Sequence, residues 1–331
     1  MTRITASAPG KFVLSGEYAV LDGAPAICVA VDRRAVVSIE DHSGDHHVVT
    51  APGFSAATGR FTADSGRLTW LDGGQDFRLF ETVWNASRPS STGGSLAIAL
   101  DTREFRDSGS GNKIGLGSSA ALTVAIATAL RSMDGGAAAR VAHAAHRQFQ
   151  GGSGSGVDIA CSIAGGIIEY RREDQHSAPL EWPEGLYCSV LWSGVASGTQ
   201  GKLKQFRCQP DSSSRDQLGE ASRAVAAVFA SGDAHAVVAG LGQYTRALER
   251  FDEIHGLGIF AAGHAALAER AAGDGLVYKP CGAGGGDIGI ALATSRASLA
   301  SFEKTAARSG FTRLELGIDP RGAMLHDKDK P

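Results

Sequence analysis

From Asn112 to Ala121 the chain reads NKIGLGSSAA and runs on into LTVAIATAL. A glycine- and serine-rich loop opens there onto a run of small and aliphatic helix formers. Unpaired backbone N–H groups and the positive end of the helix dipole meet at such a junction, and both favour an anion. Gly115 and Gly117 allow phosphates to approach the backbone without a Cβ in the way. Ser118 and Ser119 bring hydroxyls that can cap the helix or ligate a hard cation. An ordinary loop with its N-cap accounts for the same residues, so the stretch needs support from elsewhere. It is not a P-loop, because no Lys-Ser or Lys-Thr pair follows the second glycine at the required place. It does fit the loose G-x-G-x-x-A dinucleotide pattern, with Asp134 near the acidic position. That pattern requires a second strand after the helix, and here a second helical stretch, AAARVAHAAHRQFQ, follows.

If the loop holds a polyanion, the positive groups must be local. The formal net charge is −3, which offers no general attraction to nucleic acid or to an anionic membrane. The 331 residues, 43% hydrophobic and 20% charged, suffice for one large or two medium domains. Five cysteines without a C-x-x-C pairing indicate a reducing compartment rather than a disulfide framework or zinc site. MTRITASAPGK lacks the apolar core of a signal peptide, and no apolar run is long enough for a membrane span. The expectation is a cytoplasmic protein, monomeric or homodimeric, with no nucleic-acid or membrane partner.

In chain order, residues 3–13 read as a strand broken at Ala8-Pro9-Gly10, and strands flank the Asp22-Gly23 turn. His42, His46 and His47 beside Asp45 admit a metal or a solvated hairpin tip. Helices are expected over 76–88, 118–133 and 137–150. A small-residue helix follows over 159–164, with Asp158 in its first turn as a plain N-terminal acid would be. The segments 212–250, 257–272 and 298–309 read as further helices. Strands are expected at GIIEYRR, LYCSVLWS, on both sides of Gly282-Ala283-Gly284-Gly285-Gly286-Asp287, and at FTRLELGI. Strands and helices alternate without regular βαβ units, so the fold class is α+β.

Three stretches, APGKFVLSGEYAVL, KIGLGSSAALTVAIATAL and KPCGAGGGDIGIAL, resemble the three motifs of the GHMP small-molecule kinases in their order and spacing. The resemblance implies an N-terminal nucleotide-binding half over 1–185, a ferredoxin-like C-terminal half over 186–331, and an active site between them. It implies ATP as phosphoryl donor with Mg²⁺. The lysine before GLGSSAA, QGGSGSGVD, WSGVASGTQ and the aspartate closing GAGGGD are most similar to the members that phosphorylate 5-phosphomevalonate. By motif position, Lys11 and Asp158 would be catalytic and Ser119 would ligate the metal. Lys113, Gly115, Leu116, Gly117, Ser118, Ser119 and Ala120 would hold the nucleotide. Glu17, Tyr18, Arg147, Ser153, Ser155, Ser197, Gly284 and Gly285 would face the acceptor.

The chain departs from that pattern in places. Gly152 stands where a lysine is expected, and Cys281 replaces a Ser or Thr. Arg147 occupies the position, eleven residues before Asp158, where mevalonate kinases carry a metal-ligating Glu. An arginine there suits an acceptor more anionic than mevalonate, and it suits equally an exposed helix face. Lys202 and Lys204 are acceptor candidates on the same terms. The alternatives are mevalonate as acceptor, another GHMP kinase, or a homologue that binds ligand without turnover. Retention of Lys11, Ser119 and Asp158 together speaks against the last.

Overall fold

The computed structural model describes residues 3–89, 94–133, 137–152, 154–198, 201–202, 205–206 and 213–326. Strand β1 (Ile4–Ser15) is buried over nearly its whole length and pairs antiparallel with β2 (Ala26–His42). The break expected at Ala8-Pro9-Gly10 is instead a register shift between Pro9 and Gly10 inside a continuous strand. Proline has no N–H to give the ladder, and a bulge absorbs that loss. The bulge also creates room, since a Cβ on Gly10 would lie 2.7 Å from the Leu116 carbonyl oxygen. Lys11 N donates to that oxygen at 2.8 Å, so the glycine-serine loop rests on β1.

The remaining strands of the first sheet are β3 (His47–Ala51), β4 (Ser55–Asp64), β5 (Arg67–Asp72), β6 (Ser95–Asp101), β7 (Ile167–Arg171) and β8 (His176–Leu180). Its main path runs β5-β4-β3-β6-β2-β1, and β7 with β8 branches from β2. Helices α1 (Arg78–Ser87), α2 (Ser118–Arg131), α3 (Ala138–Phe149) and α4 (Val157–Ala164) form a mutually packed layer, with α2 and α4 against β1 and β2. The second sheet holds β9 (Tyr187–Trp192), β10 (Val277–Pro280), β11 (Ile288–Ala293) and β12 (Thr312–Leu314) in the order β10-β11-β9-β12. Helices α5 (Ser213–Ser231) and α6 (Ala234–His255) pack on each other. Helix α7 (His264–Gly273) lies on β10, and α8 (Arg296–Arg308) on β9 and β11. The helical stretch expected over 212–250 is thus two helices, parted at Gly232, where φ is +76°. A last strand, β13 (Met324–His326), returns to β1. This is an α+β fold. Among the described residues no helix is long and apolar enough to cross a membrane.

The histidine group resolves differently from either expectation. His47 is buried, stacks on Phe61 and accepts from Leu96 N through Nδ1, so it belongs to the core. His46 pairs with Asp45 on the exposed turn. No metal-binding group forms there.

One core cluster runs from Phe12 and Leu14 on β1 to Leu191 on β9, Ile290 on β11 and Leu241 on α6, so the two sheets share buried surface. Polar ties reinforce it at the end of β1. Lys279 on β10 is wholly buried and pairs with Glu17 Oε1 at 2.5 Å. Tyr244 O–H on α6 donates to Glu17 Oε2 at 2.8 Å and its oxygen accepts from Gly16 N at 3.0 Å. A buried ion pair adds little net stability over an apolar pair, but removing one partner strands a charge. Lys279→Met should therefore cost about 3–5 kcal/mol, read by urea unfolding. Glu17→Leu/Lys279→Met should recover much of that loss. A single-variant cost below about 1 kcal/mol, within the range of exposed pairs, would rule out the pair as a structural tie.

Candidate active site

A cleft opens where β1, the starts of α2 and α4, and the loop between β10 and β11 converge. Lys11, Glu17, Lys113, Ser119, Asp158 and Asp287 are among its lining. Helix α2 begins at Gly117, whose φ is +76°, and no side chain caps it. Ala120 N already donates to Gly117 O, so the amides of Ser118 and Ser119 are the ones left for an incoming anion. The two loop glycines answer to specific neighbours. A Cβ on Gly117 would lie 2.8 Å from Lys11 Cε, and one on Gly115 would lie 2.4 Å from Asp287 Cβ. Each missing side chain therefore leaves space for a charged residue of the cleft. Leu116 and Ala120 are fully buried and anchor the loop, while Lys113 is exposed at the cleft edge.

Helix α4 likewise starts at an uncapped glycine, Gly156, with Asp158 in its first turn. Asp158 Oδ1 lies 3.2 Å from Lys11 Nζ. Burial works to lower the Lys11 pKa, but the Asp158 carboxylate, Cys28 and Cys161 together offset that and hold the ammonium above its ordinary value. Lys11 is thus a fixed positive charge and not a base.

The third motif closes the opposite wall. Tyr18 O–H donates to Ala283 O at 2.9 Å, and Ser197 Oγ–H donates to Gly284 O at 2.5 Å. Lys202 Nζ donates to Gly284 O and Gly258 O, and Gly285 N to Ile259 O. Burial lowers the Lys202 pKa and raises that of Tyr18, so the phenol stays a donor. His264 supports the loop from below. Its Nε2–H donates to Gly286 O at 3.2 Å, which leaves Nδ1 to accept from Tyr278 O–H at 2.7 Å.

The structure thus brings together Lys11, Glu17, Tyr18, Lys113, Gly115, Gly117, Ser119, Ser155 and Asp158 around one cleft. Glu17 reaches it with its carboxylate already spent on Lys279 and Tyr244. Ser118 lines a cavity on the far side of the loop; Ser197 holds the third motif from behind through Gly284 O, and Gly285 N is spent on Ile259 O, so these three do not line the cleft. Arg147 does not line the cleft; it is exposed beside a neighbouring cavity. Ser153, Lys204 and Asp134 lie outside the described residues.

One cleft residue, His146, escaped the sequence reading, and another, Asp287, entered it only as the residue closing GAGGGD, with no role assigned. His146 is buried, lies 3.4 Å from Ser119 Oγ through Nε2, and has its pKa lowered by burial. The signal was present, because Ala142, Ala145 and His146 form the inward face of α3. Asp287 sits at φ +54°, its Oδ1 accepting from Ser197 N at 3.2 Å, and burial raises its pKa. Nothing in the sequence marks it as facing Gly115. Cys281 lines the same wall, its thiol pushed up to about 12 by burial. Among the described residues no three metal-binding side chains converge. The oxygens of Ser119, Asp158 and Asp287 still suit a hard cation that arrives on phosphates and keeps its waters.

The model of the GHMP kinases N terminal domain matches residues 103–166, which hold the loop, α2, α3 and α4. The chain is 31% identical to phosphomevalonate kinase of Streptomyces sp. (strain CL190) over 89% of its length and 91% of that protein. It is 33% identical to mevalonate kinase of Methanothermobacter thermautotrophicus, covering 62% of this chain and 64% of the relative. The Streptococcus pneumoniae phosphomevalonate kinase, solved with phosphomevalonate and AMPPNP, shares the fold with a TM-score of 0.77 at 19% identity, over 95% of this chain and 99% of that one. This chain belongs to the GHMP kinase family. It is an ATP-dependent phosphotransferase.

The His264 bracket makes stability depend on pH. Burial lowers the His264 pKa from 6.5 to about 4. Between those values the unfolded chain binds the extra proton, so stability falls as pH drops from 6.5 towards 4, by roughly 3 kcal/mol in all. Urea unfolding at pH 7, 6, 5 and 4.5 should show a steeper decline for the wild type than for His264→Gln. Parallel curves would remove His264 as the cause.

Proposed function

We propose that this enzyme transfers the γ-phosphoryl group of ATP to 5-phosphomevalonate, yielding 5-diphosphomevalonate and ADP. The observation that carries the reading is the position of the loop between two unlike cavities, with Lys113 and Ser119 lining both. On one side lies the cleft with Lys11 and Asp158. On the other, a cavity of about 360 Å³ is walled by Phe54, Phe77, Leu79 and Phe105, a surface suited to a nucleobase. A nucleotide laid across the loop would put its base among those rings and its terminal phosphate beside Lys11. Among relatives matched over most of both chains, the phosphomevalonate kinase at 31% identity is more alike than the mevalonate kinases at 26%, which supports phosphomevalonate as acceptor.

Ser119, with the triphosphate, would hold Mg²⁺, which when bound neutralises charge on the β- and γ-phosphates. In the transfer an oxygen of the acceptor phosphate bonds to the γ-phosphorus, and the bond to the β–γ bridging oxygen breaks. That oxygen leaves on ADP. Two polyanions must first be brought together, and Lys11 is the group placed to offset their repulsion. Asp158 orients Lys11. A phosphate monoester, with its second pKa near 6, is already a nucleophile at pH 7, so no general base is required.

The acceptor is tested by coupled ADP release. Phosphomevalonate should exceed mevalonate in kcat/KM by ~10²-fold or more, since mevalonate leaves phosphate-binding groups unpaired. The 33% identity to a mevalonate kinase supplies the second reading, and equal kcat/KM for the two acceptors would favour it.

The roles of the charged pair are tested separately. At saturating MgATP from pH 6 to 8.5, Lys11→Ala should lose more kcat/KM than Asp158→Asn. Higher pH should partly restore Asp158→Asn by deprotonating the acceptor. Were Asp158→Asn the more damaging, without restoration, the carboxylate would be a true base and the acceptor a hydroxyl.

A further inference from the structure

Beyond the 154–156 segment lies another cavity, of about 570 Å³, separated from the cleft by walls the two share at His146, Gln150, Gly154, Ser155 and Gly156. Its character is cationic. Helix α3 lines it with Arg140, His143 and Arg147, at i, i+3 and i+7 and so on one face. Arg172, from the turn after β7, enters from the opposite wall, and Gln148 and Gln175 add amide groups. No aspartate or glutamate lines the cavity among the described residues. The two acids next in sequence turn elsewhere: Asp174 accepts from His176 N, and Glu173 lies by Gly23. Among the described residues none of the three arginines is ion-paired. Arg172 is held in place because its Nη1 donates to Leu21 O at 2.8 Å. The far wall is braced by Tyr170 O–H, which donates to Ser155 O at 3.1 Å.

Most clusters of guanidinium groups in folded proteins are interleaved with carboxylates, because like charges in one concavity repel. Here no compensating carboxylate lines the cavity among the described residues. We propose that this cavity is an oxyanion site, in which Arg140, Arg147 and Arg172 take a carboxylate or phosphate group. Arginine forks match such groups with paired N–H donors, which a lysine patch would not. Two sources carry that chemistry. One is the distal carboxylate of an acceptor whose reacting phosphate lies beside Lys11. The other is a separate small phosphorylated anion, whose binding would bear on the acceptor through the shared segment.

Inorganic pyrophosphate is the probe, titrated calorimetrically at low ionic strength into the full-length enzyme with its nucleotide loop filled by MgADP. Arg140 is exposed, so Arg140→Gln should fold as the wild type does; Arg172→Gln, which also loses the tie to Leu21, is the second variant. The expected result is a pyrophosphate Kd about tenfold weaker or more in each variant, the usual loss for one charge-assisted contact, and weaker again at higher salt. Binding that is absent in the wild type, or unchanged in both variants, overturns the proposal. Repeating the titration with saturating phosphomevalonate identifies the source. Competition, together with a tenfold rise in acceptor KM for Arg140→Gln at unaltered kcat, assigns the cavity to the acceptor's carboxylate. Simultaneous binding assigns it to a separate anion. Only this last arm rests on the phosphomevalonate reading. Failure of that reading would appear as no ADP release from the wild type with phosphomevalonate, whatever the pyrophosphate result.

Discussion

The backbone bond from Lys11 N to Leu116 O joins the two parts of the molecule on which its chemistry depends. It ties the glycine-serine loop to the strand that carries Lys11, and it exists because Gly10 lets the loop carbonyl approach. From that contact the rest of the site follows in order. Lys11 crosses Gly117 to reach Asp158, and Gly115 leaves space for Asp287. A side chain at either glycine would displace a charge and not merely strain a turn. The loop is therefore a packing solution for the cleft as much as a cradle for phosphate.

Charge is arranged unevenly for the same end. Lys11 has a carboxylate 3.2 Å away and stays protonated despite burial. Lys279 is sealed from solvent, and its pairing with Glu17 tethers the end of β1 to the second sheet. Lys202 spends its donors on the glycine-rich loop. Of these three lysines, Lys11 lines the cleft and the other two hold its walls, while Lys113 stays exposed at the cleft edge. Distance and partners decide this, since the three are alike in residue type. The arginines around the neighbouring cavity differ in having no carboxylate among the described residues, which is why that cavity calls for an anion from outside the chain.

Short-range pattern was enough to read the local pieces. The glycine-serine loop, the helix it opens, the acid in the first turn of α4 and the order of the three motifs were legible because each rests on neighbours a few residues apart. The α+β class followed from the same short-range patterns. Long-range packing settled the rest. It turned His146, and not Arg147, towards Ser119, since helix rotation of one residue moves a side chain by about 100°. It took Glu17 into a buried pair with a residue 262 positions away. It made a bulge of the Pro9-Gly10 break, because a strand fixed between neighbours can absorb a missing N–H. That Asp287 faces Gly115, and that Arg140 and Arg172 join Arg147 around one cavity, could not be read from the sequence for a related reason. A site built from separate strands, helices and turns has no signature in spacing, because the distances that define it are closed by the fold and not by the chain.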